Sequence, residues 1–164
     1  MVYLHGSNKL FGRDFILLPQ KDGYTSHPEN KAFEDYIESR RPEGKTPRNA
    51  SVFLTTDPDL IDAAGGYNDA VYEVKPLSPP EASDLRWYSD AFSEHESMLY
   101  DGAYNQQHLD ACVDSYWSGQ VYPDPEMSNI EYRVSSASVV RMTELNVDLE
   151  DLERVKAPRV EPHP

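Results

Sequence analysis

The chain has 164 residues, 38% of them hydrophobic, with a mean hydropathy of −0.69; this suits one domain that buries roughly 70% of its unfolded surface without a disulfide or metal staple. Fifteen Lys and Arg stand against 29 Asp and Glu, a net charge of −14, which argues against broad binding to nucleic-acid backbones or anionic membranes. The single cysteine, Cys112, excludes an intrachain disulfide and a CxxC zinc module, and no run of about 18 apolar residues exists to span a bilayer.

Val2-Tyr3-Leu4 is β-prone and is cut by Gly6-Ser7-Asn8, which predicts a short first strand and a turn. The start shows no signal-peptide pattern, so the expectation is a cytoplasmic protein, or an effector exported without a cleaved signal. A second apolar run, Phe15 to Leu18, ends at Pro19, and Gly23 to Asn30 is turn-rich. Phe33, Tyr36 and Ile37 recur at helical spacing, predicting an amphipathic helix from Lys31 to Arg41 that Pro42 and Gly44 stop. Arg40 to Arg48 reads as a polar, basic loop. A strand over Ser51 to Thr55 leads into Thr56-Asp57-Pro58, which predicts a short helix over Asp59 to Ala64 ended by Gly65-Gly66. Ala70 to Lys75 alternates as a strand, with Val71 and Glu73 on one face and Tyr72 and Val74 on the other. Residues 81–101 predict irregular chain or short helical pieces. Leu109, Val113 and Trp117 mark the clearest helix, Ala103 to Trp117, ended by Ser118-Gly119. A loop from Pro123 to Asn129 leads to strands over Ile130 to Val134 and Ser138 to Thr143. This order indicates an α+β fold in one domain over residues 1–149, with a charged, Pro-containing tail over 150–164.

Three places combine polar groups with strand ends. His5-Gly6-Ser7 closes the first strand, where a glycine lets a ligand approach the backbone and the imidazole can donate or accept. Thr55 and Thr56 close the middle strand, where the simplest role of either hydroxyl is to cap the helix that follows. Glu131 enters a strand directly after the Pro-containing loop, and alternation points it away from Ile130 and Tyr132. If those two face the core, Glu131 faces the opposite side of its sheet. Metal binding has little support. His108 and Cys112 sit four apart on one helix without a third ligand at matching spacing, so Cys112 is expected to be buried and inert. Asp57, Asp59 and Asp62 lack the glycine and terminal Glu of a calcium loop. The sequence has no P-loop, GxGxxG or GxSxG pattern.

Taken in order, these pieces resemble the mono-ADP-ribosyltransferase superfamily, the NAD-splitting domains of bacterial toxins and effectors. Val2-Tyr3-Leu4-His5-Gly6-Ser7 is similar to the opening strand of its His-type members, and Ser51-Val52-Phe53-Leu54-Thr55-Thr56 to the middle strand. Ala70 to Pro76 is similar to the central strand that follows, and Asn129-Ile130-Glu131-Tyr132 to the late strand that carries the catalytic Glu. The likeness spans most of residues 2 to 143. The chain has Leu4-His5 where Arg-type members have Arg, Leu54-Thr55-Thr56 in place of Ser-Thr-Ser, and Asn129 in place of Gln or Glu.

The resemblance implies two small, mostly antiparallel sheets packed around an NAD cleft with short helices. It implies a monomeric NAD-dependent transferase that cleaves the nicotinamide–ribose bond and passes ADP-ribose to a protein or small-molecule acceptor. On that reading Glu131 and His5 are catalytic, and His5, Gly6, Ser7, Arg13, Phe53, Thr55 and Thr56 hold NAD. Lys9 is the alternative to Arg13 for the diphosphate, Asn129 belongs to the acceptor loop, and no metal is expected. A nucleic-acid acceptor is disfavoured by the acidic surface. The competing expectation is a catalytically inactive member of the fold that binds a protein partner.

Overall fold

The computed structural model describes residues 1–20, 28–62 and 66–155. Most of the turn-rich stretch after Gly23, the predicted helix end at residues 63–65 and the tail from residue 156 lie outside the described residues. In chain order come β1 (Tyr3–Ser7), β2 (Lys9–Leu10), β3 (Ile16–Leu17), α1 (Pro28–Ser39), β4 (Val52–Leu54), β5 (Ala70–Pro76) and β6 (Glu81–Asp84). They are followed by α2 (Leu85–Tyr100), α3 (Gln106–Ser118), β7 (Ile130–Val134), β8 (Ala137–Leu145) and β9 (Glu153–Arg154). The result is an α+β arrangement.

One antiparallel sheet has the order β1-β5-β8-β3 and a second the order β4-β7-β6, while β2 and β9 form a short parallel pair. Leu17, Ala70, Tyr72, Val74, Ala137 and Val139 of the first sheet share one core with Val52, Leu54 and Val134 of the second. The sheets are also joined edge to edge. Leu4 and Thr55 exchange both backbone hydrogen bonds, at 2.7 and 3.0 Å, bridging β1 to the end of β4. A second core forms where Phe33 and Ile37 of α1, Ala91 of α2, and Leu109, Cys112, Val113, Tyr116 and Trp117 of α3 meet.

The predicted strands over 70–75, 130–134 and 138–143 are present, the last extended to Leu145. Three expectations are corrected. The Phe15–Leu18 run yields only the two residues of β3, because a tight turn with Asp14 at φ 64° precedes it and Pro19, without an N–H, follows. The helix predicted from Asp59 is a single 3-10 turn, Pro58–Leu60, whose first N–H is capped by Asp57 Oδ1 at 3.0 Å. Residues 81–101 are not irregular: they form β6 and the 16-residue α2, the longest helix described. Asp84 starts that helix by accepting from the backbone N–H of Arg86 at 3.0 Å. The segment read as tail begins packed, with Leu152 buried in the main core. Gly119 ends α3 at φ 74°, and a Cβ there would stand 2.8 Å from the Ala82 carbonyl oxygen.

Cys112 is fully buried, and burial, aided by the charges of Asp90 and Glu94, pushes its thiol up to about 11. Its sulfur lies 3.7 Å from a ring nitrogen of His108. Labelling by a thiol reagent is expected only as fast as the protein unfolds, with the folded protein at pH 7.5 as the sample. Labelling of the native protein at the rate of a free cysteine would contradict this placement.

Two histidines make stability depend on pH. His95 is 4% exposed between the Phe33 and Tyr36 rings, and burial lowers its pKa, partly offset by Glu96. Burial also lowers that of His5, partly offset by its backbone hydrogen bond to Phe53. An unfolded imidazole takes up its proton near pH 6.5, while the folded protein resists it. Their contribution is therefore intact above that pH and declines as the pH drops towards the lower folded values. The urea midpoint is expected to fall between pH 7.5 and 5, and His95→Phe to remove part of that fall. A midpoint that stays flat over this range rules the effect out.

Candidate functional site

A cleft of about 790 Å³ lies among β1, the segment running from Lys9 through β3, and the stretch Arg48–Phe53 that leads into β4. Its volume falls in the range of small-molecule sites, about 300–1,000 Å³. Aromatic rings of Phe11, Phe15, Phe53 and Tyr67 contribute to its walls, with His5, Lys9 and Arg48 as its ionisable bases. Although 29 of the 164 residues are Asp or Glu, none of the described lining residues is acidic.

His5 is fixed by a hydrogen bond from Nδ1 to the Phe53 carbonyl oxygen at 3.0 Å. A carbonyl only accepts, so the proton sits on Nδ1 and the neutral ring keeps Nε2 as an acceptor. Ser7 borders the cleft, and its Oγ accepts from the Lys9 N–H at 3.1 Å. Gly6 has a steric reason that the sequence did not show. A Cβ there would stand 1.8 Å from the backbone oxygen of Tyr67 and 2.3 Å from Ile61 Cγ2, so the glycine admits the chain around Gly66 and Tyr67 as well as bordering the cleft.

Behind the cleft wall lies a buried charge network. Arg48 arrives on the 3-10 turn before β4, with its backbone N–H donating to Glu38 Oε1 of α1 at 2.7 Å. Its side chain is 4% exposed; Nε donates to Glu34 Oε2 at 3.1 Å and Nη1 to Glu131 Oε1 at 2.8 Å. The guanidinium carbon stands 4.5 Å from the Tyr88 ring centre, 5.0 Å from that of Phe53 and 5.2 Å from that of Tyr116. Tyr116 accepts from Arg48 Nη1 and donates to Glu131 Oε1, and Tyr88 donates to Glu34 Oε1 at 2.7 Å. Burial pushes both phenols well above their ordinary range, so both stay protonated donors. Arg133 lies in the same layer, 4.4 Å from the Trp117 ring centre, with Nη2 donating to Ser83 Oγ at 3.1 Å and forming an ion pair with Glu81 Oε2 at 3.7 Å.

The sequence-predicted residues divide accordingly. His5, Gly6, Ser7 and Phe53 border the cleft together. Thr55 does not; with His5, Gly6 and Phe53 it borders an adjoining void of about 10 Å³, and its Oγ1 accepts from the Asp57 N–H at 3.1 Å, the turn-capping role. Thr56 and Arg13 are exposed and outside the cleft, while Lys9 is part of it. Asn129 is tied back by its N–H to Asp84 Oδ1 at 3.1 Å, and its carbonyl accepts from Leu85 at 2.8 Å. Glu131 does lie on the opposite side of its sheet from Tyr132, but that side is not open. α2 and α3 cover it, and the carboxylate is 1% exposed. Asp84 is likewise occupied. Burial alone would raise its pKa, yet hydrogen bonds from Ser128, Tyr122, Arg86 and Asn129 bring it below the usual value.

Arg48 is the residue that sequence reasoning passed over as part of a basic loop. The available signal was the pair Glu34 and Glu38, four apart on one helix face and followed by an Arg immediately ahead of an apolar strand. It both borders the cleft and touches Glu131. The chain matches no protein-family model, no curated protein and no solved structure. Among the described residues, no helix is long and apolar enough to cross a membrane, and no group of three or more His, Cys, Asp or Glu is placed to hold a metal ion.

Removing one partner of a buried ion pair strands the other, at about 3–5 kcal/mol. Arg48→Met strands both Glu34 and Glu131 and is expected to cost at least that much in chemical denaturation. Arg40→Ala, which breaks the partly exposed pairs with Asp114 and Asp110, is expected to cost about 1 kcal/mol. Equal costs for the two variants would show that burial does not govern the Arg48 network.

Proposed function

We propose that the chain is an NAD-dependent mono-ADP-ribosyltransferase that cleaves the nicotinamide–ribose bond and transfers ADP-ribose to a protein or small-molecule acceptor. The observation that carries this reading is the character of the cleft: aromatic, free of carboxylates among its described lining residues, and carrying the half-exposed Lys9, with Arg48 reaching its wall already paired to Glu34 and Glu131, in a protein of charge −14. Such a wall suits a dinucleotide, whose flat rings pack on aromatic side chains and whose diphosphate needs positive charge. The strand order adds support. β1 is bridged to the end of β4, and β4 pairs with β7, so the strands carrying His5, Phe53 and Glu131 are successive neighbours.

In the reaction, the bond between ribose C1′ and the nicotinamide nitrogen breaks with its electron pair going to nicotinamide, which leaves neutral. C1′ becomes oxocarbenium-like, the acceptor nucleophile bonds to it, and the acceptor proton passes to solvent or a nearby base. His5, polarised through Nδ1, and the β1 backbone hold the bound nucleotide. Lys9 faces the diphosphate. Three carboxylates, Glu34, Glu81 and Glu131, against two guanidiniums, Arg48 and Arg133, leave the buried network with one net negative charge.

Glu131→Gln keeps size and hydrogen bonding but removes the charge that the transition state uses. Nicotinamide release is expected to fall by about 10²–10³-fold while NAD affinity changes by less than about tenfold. Glu126→Gln, on the exposed loop, is expected to keep the wild-type rate. Near-full turnover by folded Glu131→Gln would refute the assignment. A second reading, an inactive member of the fold that binds a partner, is favoured by one observation: Glu131 is engaged by Arg48 and is not among the cleft-lining residues. NAD binding by the pure protein without any nicotinamide release would decide for it.

A further inference from the structure

We propose that Tyr72 is a positioning residue for the cleft: its hydroxyl, buried behind the wall, sets where the Lys9 ammonium stands and thereby the cleft's hold on a ligand's diphosphate. This rests on the reading of the cleft as a nucleotide site. Lys9 and Phe11 line the cleft, while Leu10 between them packs on the main core, which is the alternation of a strand. Among the described strands, β2 pairs only with β9, and the Val155 N–H continues that ladder by donating to the Leu10 carbonyl at 3.1 Å. On the other side of β2 the Tyr72 hydroxyl stands in for a neighbouring strand. It accepts from the Phe11 N–H at 3.2 Å and donates to the Lys9 carbonyl at 2.9 Å. One hydroxyl thus satisfies the two backbone groups that flank Leu10.

Tyr72 can act as a clamp because it is itself held. It is fully buried on β5, directly opposite His5 of β1, and its ring lies 5.4 Å from that of Phe11, which stacks on Phe15 at 4.8 Å. Burial raises the phenol above its ordinary range, so it stays protonated and can donate. The Lys9 side chain leaves this anchored backbone for the cleft. Its pair with Glu153 is 3.9 Å long, with side chains 43% and 75% exposed. Such a pair is worth little in water, so the ammonium can exchange Glu153 for a ligand anion. Arg48 is already engaged by Glu34 and Glu131. The clamp therefore governs the cation that a diphosphate would meet, whereas the aromatic packing of Phe11 needs only the Tyr72 ring.

Dissociation constants of ADP and of adenosine are measured by titration calorimetry for the wild type, Tyr72→Phe, Lys9→Met and the double variant, with folded fraction checked by circular dichroism. Thr143→Val serves as the control, because it removes a side-chain hydrogen bond to the β5 backbone at Val71 and lies outside the cleft lining. Tyr72→Phe keeps the ring and loses the clamp. It is expected to weaken ADP by about three- to tenfold while adenosine stays within about twofold, and to add no loss on top of Lys9→Met. Thr143→Val is expected to bind ADP as the wild type does. A wild-type ADP affinity for folded Tyr72→Phe, equal losses for ADP and adenosine, or losses that multiply in the double variant overturn the positioning role while leaving the nucleotide reading intact. No binding of ADP or NAD by the wild type overturns that reading, and the role with it. Should Tyr72→Phe fail to fold, amide hydrogen exchange of the wild type carries the test. The Phe11 N–H is expected to be protected in the free protein and protected further by ADP, since a ligand that uses the clamp must also strengthen it. Free exchange of that N–H in the folded protein, or a rate that bound ADP leaves unchanged, overturns the role.

Discussion

The Arg48 guanidinium is where the helical layer, the small sheet and the cleft wall meet. It is covered by the rings of Tyr88, Phe53 and Tyr116 and bonded to Glu34 of α1 and Glu131 of β7. Taking a charge of this size out of water costs several kcal/mol, and that cost is offset only where geometry supplies opposite charge and satisfied hydrogen bonds. Here two carboxylates and three aromatic faces supply them. Each carboxylate in turn receives a tyrosine hydroxyl, Tyr88 on Glu34 and Tyr116 on Glu131. The network is thus satisfied from four elements at once, and α1, α2, α3 and β7 are held in one relative placement.

The large sheet is tied to this assembly by a short length of chain. β1 pairs with β5 along its whole length and bridges to Thr55 through Leu4. His5 adds a side-chain hydrogen bond to Phe53, and Gly6 admits the chain around Gly66 and Tyr67 against its bare Cα. Leu4, His5 and Gly6 are therefore each used structurally before any ligand is considered. The same three contacts leave the His5 and Ser7 side of the strand facing the cleft, opposite Phe53 and Arg48. Scaffold and site are built from one set of interactions, which explains why polar groups stand at the strand ends without weakening them.

What was legible in the sequence was periodic. β7 alternates in burial over its first four residues, as does β8, β5 is buried on both faces over Ala70–Tyr72, and α3 carries Leu109, Val113 and Trp117 as a buried stripe. The cleft residues His5, Gly6 and Ser7 were legible because strand ends with polar or glycine residues are few, whereas Phe53 entered only through the family resemblance. α2 was missed although Asp84 is a strong cap, because beyond Leu85 its inner face is made of Tyr88, Ala91, Phe92 and His95 with no repeat of large aliphatic residues. That omission had a consequence for the site. Without α2, the Glu131 face of the small sheet reads as open; with it, the face becomes the floor of a second core. Arg48 was illegible for a different reason. Its partners lie 14 and 83 residues away, and a lone arginine in a polar loop is usually solvated.

The electrostatics of the molecule work on two length scales. Its −14 charge gives a repulsive field for anions, yet at physiological ionic strength that field is screened over about 8 Å. Within the cleft, distances are shorter than that and water is partly excluded, so local charges dominate. There the described lining residues carry no carboxylate and Lys9 is the exposed cation, while Arg48, which also reaches the wall, is already paired with Glu34 and Glu131 behind the aromatic rings. The acidic exterior and the cleft thus differ in sign and in reach: the first is a screened, long-range field, the second a short-range arrangement of Lys9 on the wall and paired charges beneath it.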